Sequence, residues 1–317
     1  MLTLLSLFAA LALVAAACAP DEDVVDEPEE PVDEPEEPEE PEEPEEPVEE
    51  PEDRELSMAW IPWEENIAVA HMWEAILEEE GYEVELSQYD VAPAFASVAG
   101  GEEDLFLDMW LPATHASYEE EFGDRLEMLG VWFDEATLEL TVPTYVAEEE
   151  GITSLEDLAG NADLFDGEIT GIEAGAGMME LLADEVVPGY GLEDEYEIVE
   201  SSTAAMRAEL ASAIEDQEPI VVTLWTPHPE YGLKDLTRLE DPENLWGDAE
   251  ELHAVGRPDF SSDFPEVAEW IGAWEMTDEE LSSINAAIDE ADEGEWPDVA
   301  ADWVEENRDL VDGWLGN

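Results

Sequence analysis

The chain has 317 residues, 44% of them hydrophobic, which is enough for one large core or two smaller ones. Its 91 acids against 7 bases leave a formal net charge of −84, which excludes electrostatic binding to nucleic acid or to an anionic membrane surface. The acids are spread over nearly every predicted helix rather than gathered at one place. That pattern fits adaptation to molar salt, where the Debye length falls to about 3 Å and self-repulsion is screened.

In chain order, the first segment is the apolar run MLTLLSLFAALALVAAA, followed at once by the single cysteine, Cys18. Small residues before a cysteine read as a signal peptide over 1–18 whose Cys18 is lipidated at the new N-terminus. A run of about 17 residues is at the short limit for a permanent span. One cysteine also excludes an internal disulfide. Residues 19–56 follow as a tether: the PEEPEE repeat has almost nothing apolar to bury, and its prolines and like charges keep it extended.

From Leu56 the pattern changes to alternating strands and amphipathic helices. LSMAWIP predicts a strand and IAVAHMWEAILEEEG a helix ending at Gly81. YEVELSQYD, LFLDMW, LEMLGVWF and LELTVPTYV predict strands, with helices over APAFASVAGGE and HASYEEEFGDRL. A second series runs EITGIE (strand), MMELLADEVV (helix), YEIVESS (strand), TAAMRAELASAIEDQ (helix) and PIVVTLW (strand). The tail from FPEVAEW onward is helical. Two such series imply two α/β lobes of mostly parallel sheet flanked by helices, one over 57–145 and 250–317, the other over 146–249. Ligands in such sheets bind beyond the carboxyl ends of strands.

Two strand ends there are nearly the same word. LFLDMW-LPATH gives Trp110, Pro112 and His115; PIVVTLW-TPHPEY gives Trp225, Pro227 and His228. A third strand end, AWIPWEEN, presents Trp60 and Trp63. Most of the twelve tryptophans are core: Trp73, Trp270, Trp274, Trp303 and Trp314 fall on apolar helix faces. Trp63, Trp110 and Trp225 differ, because each sits at a strand-to-loop transition.

An aromatic cage suits a quaternary ammonium, which has no N–H to donate and is recognised by indole faces at about 0.5–2 kcal/mol each. A carboxylate at the other end of such a ligand would meet free backbone N–H groups near Gly171 to Gly177, where a strand turns through glycines into a helix. His115 or His228 would add a side-chain donor. His71 and His253 read as structural. No HExxH-type metal spacing and no serine or cysteine nucleophile motif is present, so the residues give no catalytic site, no metal site and no cofactor.

The words IPWEENIAVAHMW, DMWLPATHASY, SLEDL, TGIEAGAGMM, SSTAAM, VVTLWTPHPEY and LEDPENLWG, collinear from about Leu56 to Leu315, resemble the glycine betaine and proline betaine substrate-binding proteins of ABC transporters. The resemblance implies a two-lobed, hinged periplasmic-binding-protein fold of type II. It implies that Trp63, Trp110 and Trp225 surround the trimethylammonium group. It further implies that His115 and the main-chain amides of Gly171 and Ile172 hold the carboxylate, with Trp60 and His228 as secondary candidates. Relatives often carry an aromatic after the second histidine, where this chain has Pro229. The expected protein is a monomeric, lipid-anchored binding protein on the outer side of the membrane, partnered by a permease and an ATPase. Choline, carnitine or ectoine is the alternative ligand, and a structural surface protein the alternative function.

Overall fold

The computed structural model describes residues 54–317; the expected signal peptide, the lipidation site Cys18 and nearly all of the tether lie outside the described residues. Nine strands form one curled sheet among them: β1 (Glu55–Trp60), β2 (Glu83–Gln88), β3 (Leu105–Leu111), β4 (Glu127–Pro143), β5 (Glu168–Thr170), β6 (Glu197–Val199), β7 (Val222–Thr226), β8 (Leu236–Arg238) and β9 (Glu250–Gly256). The order across the sheet is β2-β1-β3-β9-β4-β7-β5-β6, with β8 pairing to β4.

Both ends of the sheet are parallel, as the strand–helix alternation predicts: β1 with β2 and β3, and β5 with β6 and β7. The centre is not. β9 runs antiparallel to both β3 and β4, and β7 and β8 run antiparallel to β4. Two long elements account for the difference. β4 is one 17-residue strand where the sequence suggests two, and it pairs with β9 through Ala136 and with β7 from Thr137. β9 returns after the second strand–helix series to lie between β3 and β4, and with β8 it was missed by sequence.

β3 is buried at every position, as a strand covered on both faces should be. The helix Glu64–Glu79 packs beside it, starting one turn before the apolar periodicity does. Gly81, at φ 89°, reverses the chain after that helix, a conformation that favours glycine. The helical tail closes the core through an aromatic cluster. Trp132 and Trp274 stack at 4.5 Å between ring centroids, and Trp73 meets Trp274 edge-on at 5.5 Å. Such pairs contribute about 0.5–1.5 kcal/mol beyond the area they bury. Trp73, Trp274, Trp303 and Trp314 are buried, and Trp270 is half-buried.

Candidate functional site

The ends of β3 and β7 and the loop after β1 converge on one narrow cavity, lined by Trp63, Glu65, Trp110, Thr114, Leu138, Ile172, Met178 and Trp225. The ring centroids of Trp63 and Trp225 are 6.0 Å apart with planes inclined at 50°.

Each indole is fixed through its N–H. Trp225 donates to Glu65 Oε2 at 2.8 Å, Trp110 to Asp108 Oδ1 at 3.0 Å, and Trp63 to Glu173 Oε2 at 3.4 Å. The Asp108–Trp110 bond follows from strand geometry, since residues two apart share a face. Glu65 lies in the first turn of its helix, where the macrodipole favours an acid. Glu173 also accepts from the backbone N–H of Thr203 at 2.8 Å and from its hydroxyl at 3.0 Å, so one carboxylate caps a helix and steadies Trp63.

His115 is wholly buried and stacks on Trp63 at 5.8 Å with planes 11° apart. The backbone N–H of Trp110 donates to its Nδ1 at 2.9 Å, which puts the ring proton on Nε2. That Nε2 is buried without a partner. Burial pushes the imidazole down to about 3, so it is a neutral donor. The turn that carries it is held by Glu250, which accepts from the backbone N–H groups of Ala113 and Thr114 at 2.8 Å each and from the Thr114 hydroxyl.

The other expected residues fall into different places. Ile172 lines the cavity, and its N–H faces only the Met179 thioether at 3.4 Å. Gly171 does not line it: its N–H donates to the Val199 carbonyl at 2.9 Å. Trp60 packs against His71 and Trp296, away from the cavity. His228 meets Trp225 edge-on at 4.6 Å and sets its Nε2 3.3 Å from Glu64.

Sequence reasoning missed Glu64, Glu65, Glu250 and Arg207. Arg207, on the helix Thr203–Asp216, reaches Glu230 at 2.6 Å, Glu64 at 2.8 Å and Asp289 at 2.6 Å, and so joins β5–β7 elements to the β1–β3 side. Burial raises the Glu64 carboxyl, but His228 and Arg207 outweigh it and hold the group below its usual range. The sequence does hint at Arg207: it is one of only 7 basic residues in 317.

The glycine betaine/carnitine transport binding protein GbuC of Listeria monocytogenes is 37% identical over 147 residues, 46% of this chain. That match spans about half of the relative's own length, 48%. Lactococcal OpuAC, solved in its closed-liganded conformation with glycine betaine, is similar at TM-score 0.76 and 27% identity, over 83% of this chain and 100% of that one. An ABC-transporter choline binding protein solved with choline is similar at TM-score 0.75 and 26% identity, over 83% and 92%. Residues 54–306 match the family described as the substrate binding domain of the ABC-type glycine betaine transport system, and the chain belongs to that family.

Proposed function

We propose that this protein captures glycine betaine, or a close relative such as proline betaine, outside the cytoplasm and presents it to the permease and ATPase of an ABC importer for osmoprotectant uptake. One observation carries the ligand class: three indoles surround a small cavity, beside a buried imidazole N–H without a partner. Trp63, Trp110 and Trp225 hold the trimethylammonium head through their ring faces. At about 0.5–2 kcal/mol each, they supply several of the roughly 8 kcal/mol that micromolar binding needs. His115 Nε2–H and the Ile172 amide take the carboxylate.

The lobes are residues 57–145 with 250–317 and residues 146–249, and β4 reaches from one to the other, pairing with β9 through Ala136 and with β7 from Thr137. Ligand contacts from Trp63 and Trp110 on one side, and from Ile172 and Trp225 on the other, favour the closed form by their differential affinity for it. A lipid on Cys18 and the acidic tether of residues 19–56 hold the monomeric domain at the membrane.

Choline is the second reading, because the cavity presents the Glu65 carboxylate, which a bare cation would meet. Titration calorimetry of the purified protein in molar salt with glycine betaine and with choline separates the two. The proposal expects betaine to bind near micromolar and to outcompete choline. Tighter choline binding would move the assignment to choline; no heat from either ligand would refute the cage.

A further inference from the structure

Two of the carboxylates that fix the indoles are themselves incompletely partnered. Glu65 and Asp108 are wholly buried. Each spends one oxygen on an indole N–H, Glu65 on Trp225 and Asp108 on Trp110. The remaining oxygens, Glu65 Oε1 and Asp108 Oδ2, are buried with no hydrogen-bond partner. Glu65 lines the cavity, with Asp108 close enough to repel it.

The charged groups around this pair give it no counter-ion. Glu64, next to Glu65, is negative and has already engaged Arg207 and His228. His115, in the turn after β3, is neutral. Among the described residues no Lys, Arg or His lies within ion-pair distance of Glu65 or Asp108. A buried carboxylate without a cation takes up a proton rather than stay charged. Burial, then repulsion from Asp108 and Glu64, raises Glu65 well above the usual carboxyl range, and burial raises Asp108 to about 7.

We propose that Glu65, backed by Asp108, is the charge-selecting residue of the cavity: the pair holds a proton that a permanently cationic ammonium head displaces on entering. The proton leaves a carboxyl oxygen for bulk buffer, and no bond of the ligand forms or breaks. Because a quaternary head has no N–H, its attraction to Glu65 is purely Coulombic. The selection is therefore for charge, against a neutral isostere of the same shape. His115 and Ile172 act on the other end of the ligand and leave this selection untouched.

The inference rests on the proposed betaine reading, and its test separates the two. Calorimetry with glycine betaine is run near pH 7 in two buffers of unlike ionisation enthalpy, phosphate and Tris. The binding heat reports the ligand, and the difference between buffers counts protons. Release of between about half a proton and one proton per ligand is expected. The Kd should fall by up to about tenfold per pH unit as pH rises toward the pair's titration range, then level off. Glu65→Gln, which keeps the shape, should flatten that profile and cut the proton count toward zero. It should also narrow the preference for choline over its neutral carbon isostere, 3,3-dimethylbutanol.

Betaine binding with equal heats in both buffers and a Kd independent of pH would overturn the inference while leaving the function standing. If betaine does not bind, the same proton count is made with choline. Binding of neither ligand overturns the functional reading, and this inference with it.

Discussion

The Thr114 carbonyl oxygen occupies the space where a Cβ on Gly177 would fall. Thr114 belongs to the turn after β3, and Gly177 opens a helix beyond β5, so the glycine lets two sides of the cavity meet. The hydroxyl of Tyr118 donates to the Gly175 carbonyl at 2.8 Å in the same seam. Gly177→Ala should hold the two sides apart. We expect the Kd for betaine to rise at least tenfold, equivalent to about 1.4 kcal/mol. Small-angle scattering should show the variant failing to compact on adding ligand.

Arg207 should act at the same seam through charge. Its partners Glu64, Glu230 and Asp289 are largely buried; removing it leaves Asp289 without a cation, Glu64 with His228 alone and Glu230 with Lys234 alone. Breaking a buried pair in this way costs about 3–5 kcal/mol. Arg207→Gln should therefore lower the melting temperature by roughly 5–15 °C, with the larger loss in dilute salt. Calorimetric melting across a potassium chloride series checks both parts.

His115 gives a prediction about selectivity. Its donor is the Nε2–H of a neutral ring, because burial pushes the imidazole down to about 3. Its own titration therefore stays outside the range from pH 5 to 8. His115→Phe keeps an aromatic ring against Trp63 and deletes the donor. A hydrogen bond to a charged group contributes about 1.5–3 kcal/mol, so betaine should lose roughly 10- to 100-fold in affinity. Choline, which lacks a carboxylate, should lose much less. Competition titrations read the ratio, and an unchanged ratio would remove His115 from the carboxylate site.

Glu139 predicts how stability depends on pH. It lies on β4, and accepts from the hydroxyls of Thr137 at 2.6 Å, Thr226 at 2.9 Å and Tyr231 at 3.4 Å. Burial raises its carboxyl to about 7. The folded protein therefore keeps a proton that the unfolded chain has lost, and stability falls as pH rises from about 4.5 to about 7. The slope from this group approaches 1.4 kcal/mol per pH unit inside that window. Glu139→Gln should remove it, leaving the slope of the same sign that Asp108 and Glu65 supply. Urea midpoints measured across the window report the difference.

These residues also mark how far the sequence can be read. Trp110 and Trp225 are legible because each ends an apolar run and is followed by Pro112 or Pro227 two positions later, a local signal. Trp60 and Trp63 are not separable that way: both flank the same strand end, and only packing sends Trp60 toward His71 and Trp296. β9 escapes because Glu250 and His253 interrupt its apolar pattern, while its partners β3 and β4 lie more than 100 residues earlier in the chain. Its central place is a tertiary fact. Glu65 and Glu250 escape for another reason. Among 91 acids, a carboxylate that holds an indole or a turn carries no mark distinguishing it from one facing solvent. Burial makes the difference, and burial comes from elements far away in sequence.

The cage itself is tested most directly by a crystal structure of the protein grown with glycine betaine. The ammonium nitrogen should lie within about 6 Å of the ring centroids of Trp63, Trp110 and Trp225, with a carboxylate oxygen about 3 Å from His115 Nε2. Betaine bound outside those three rings, or with its carboxylate turned toward Glu65, would contradict it.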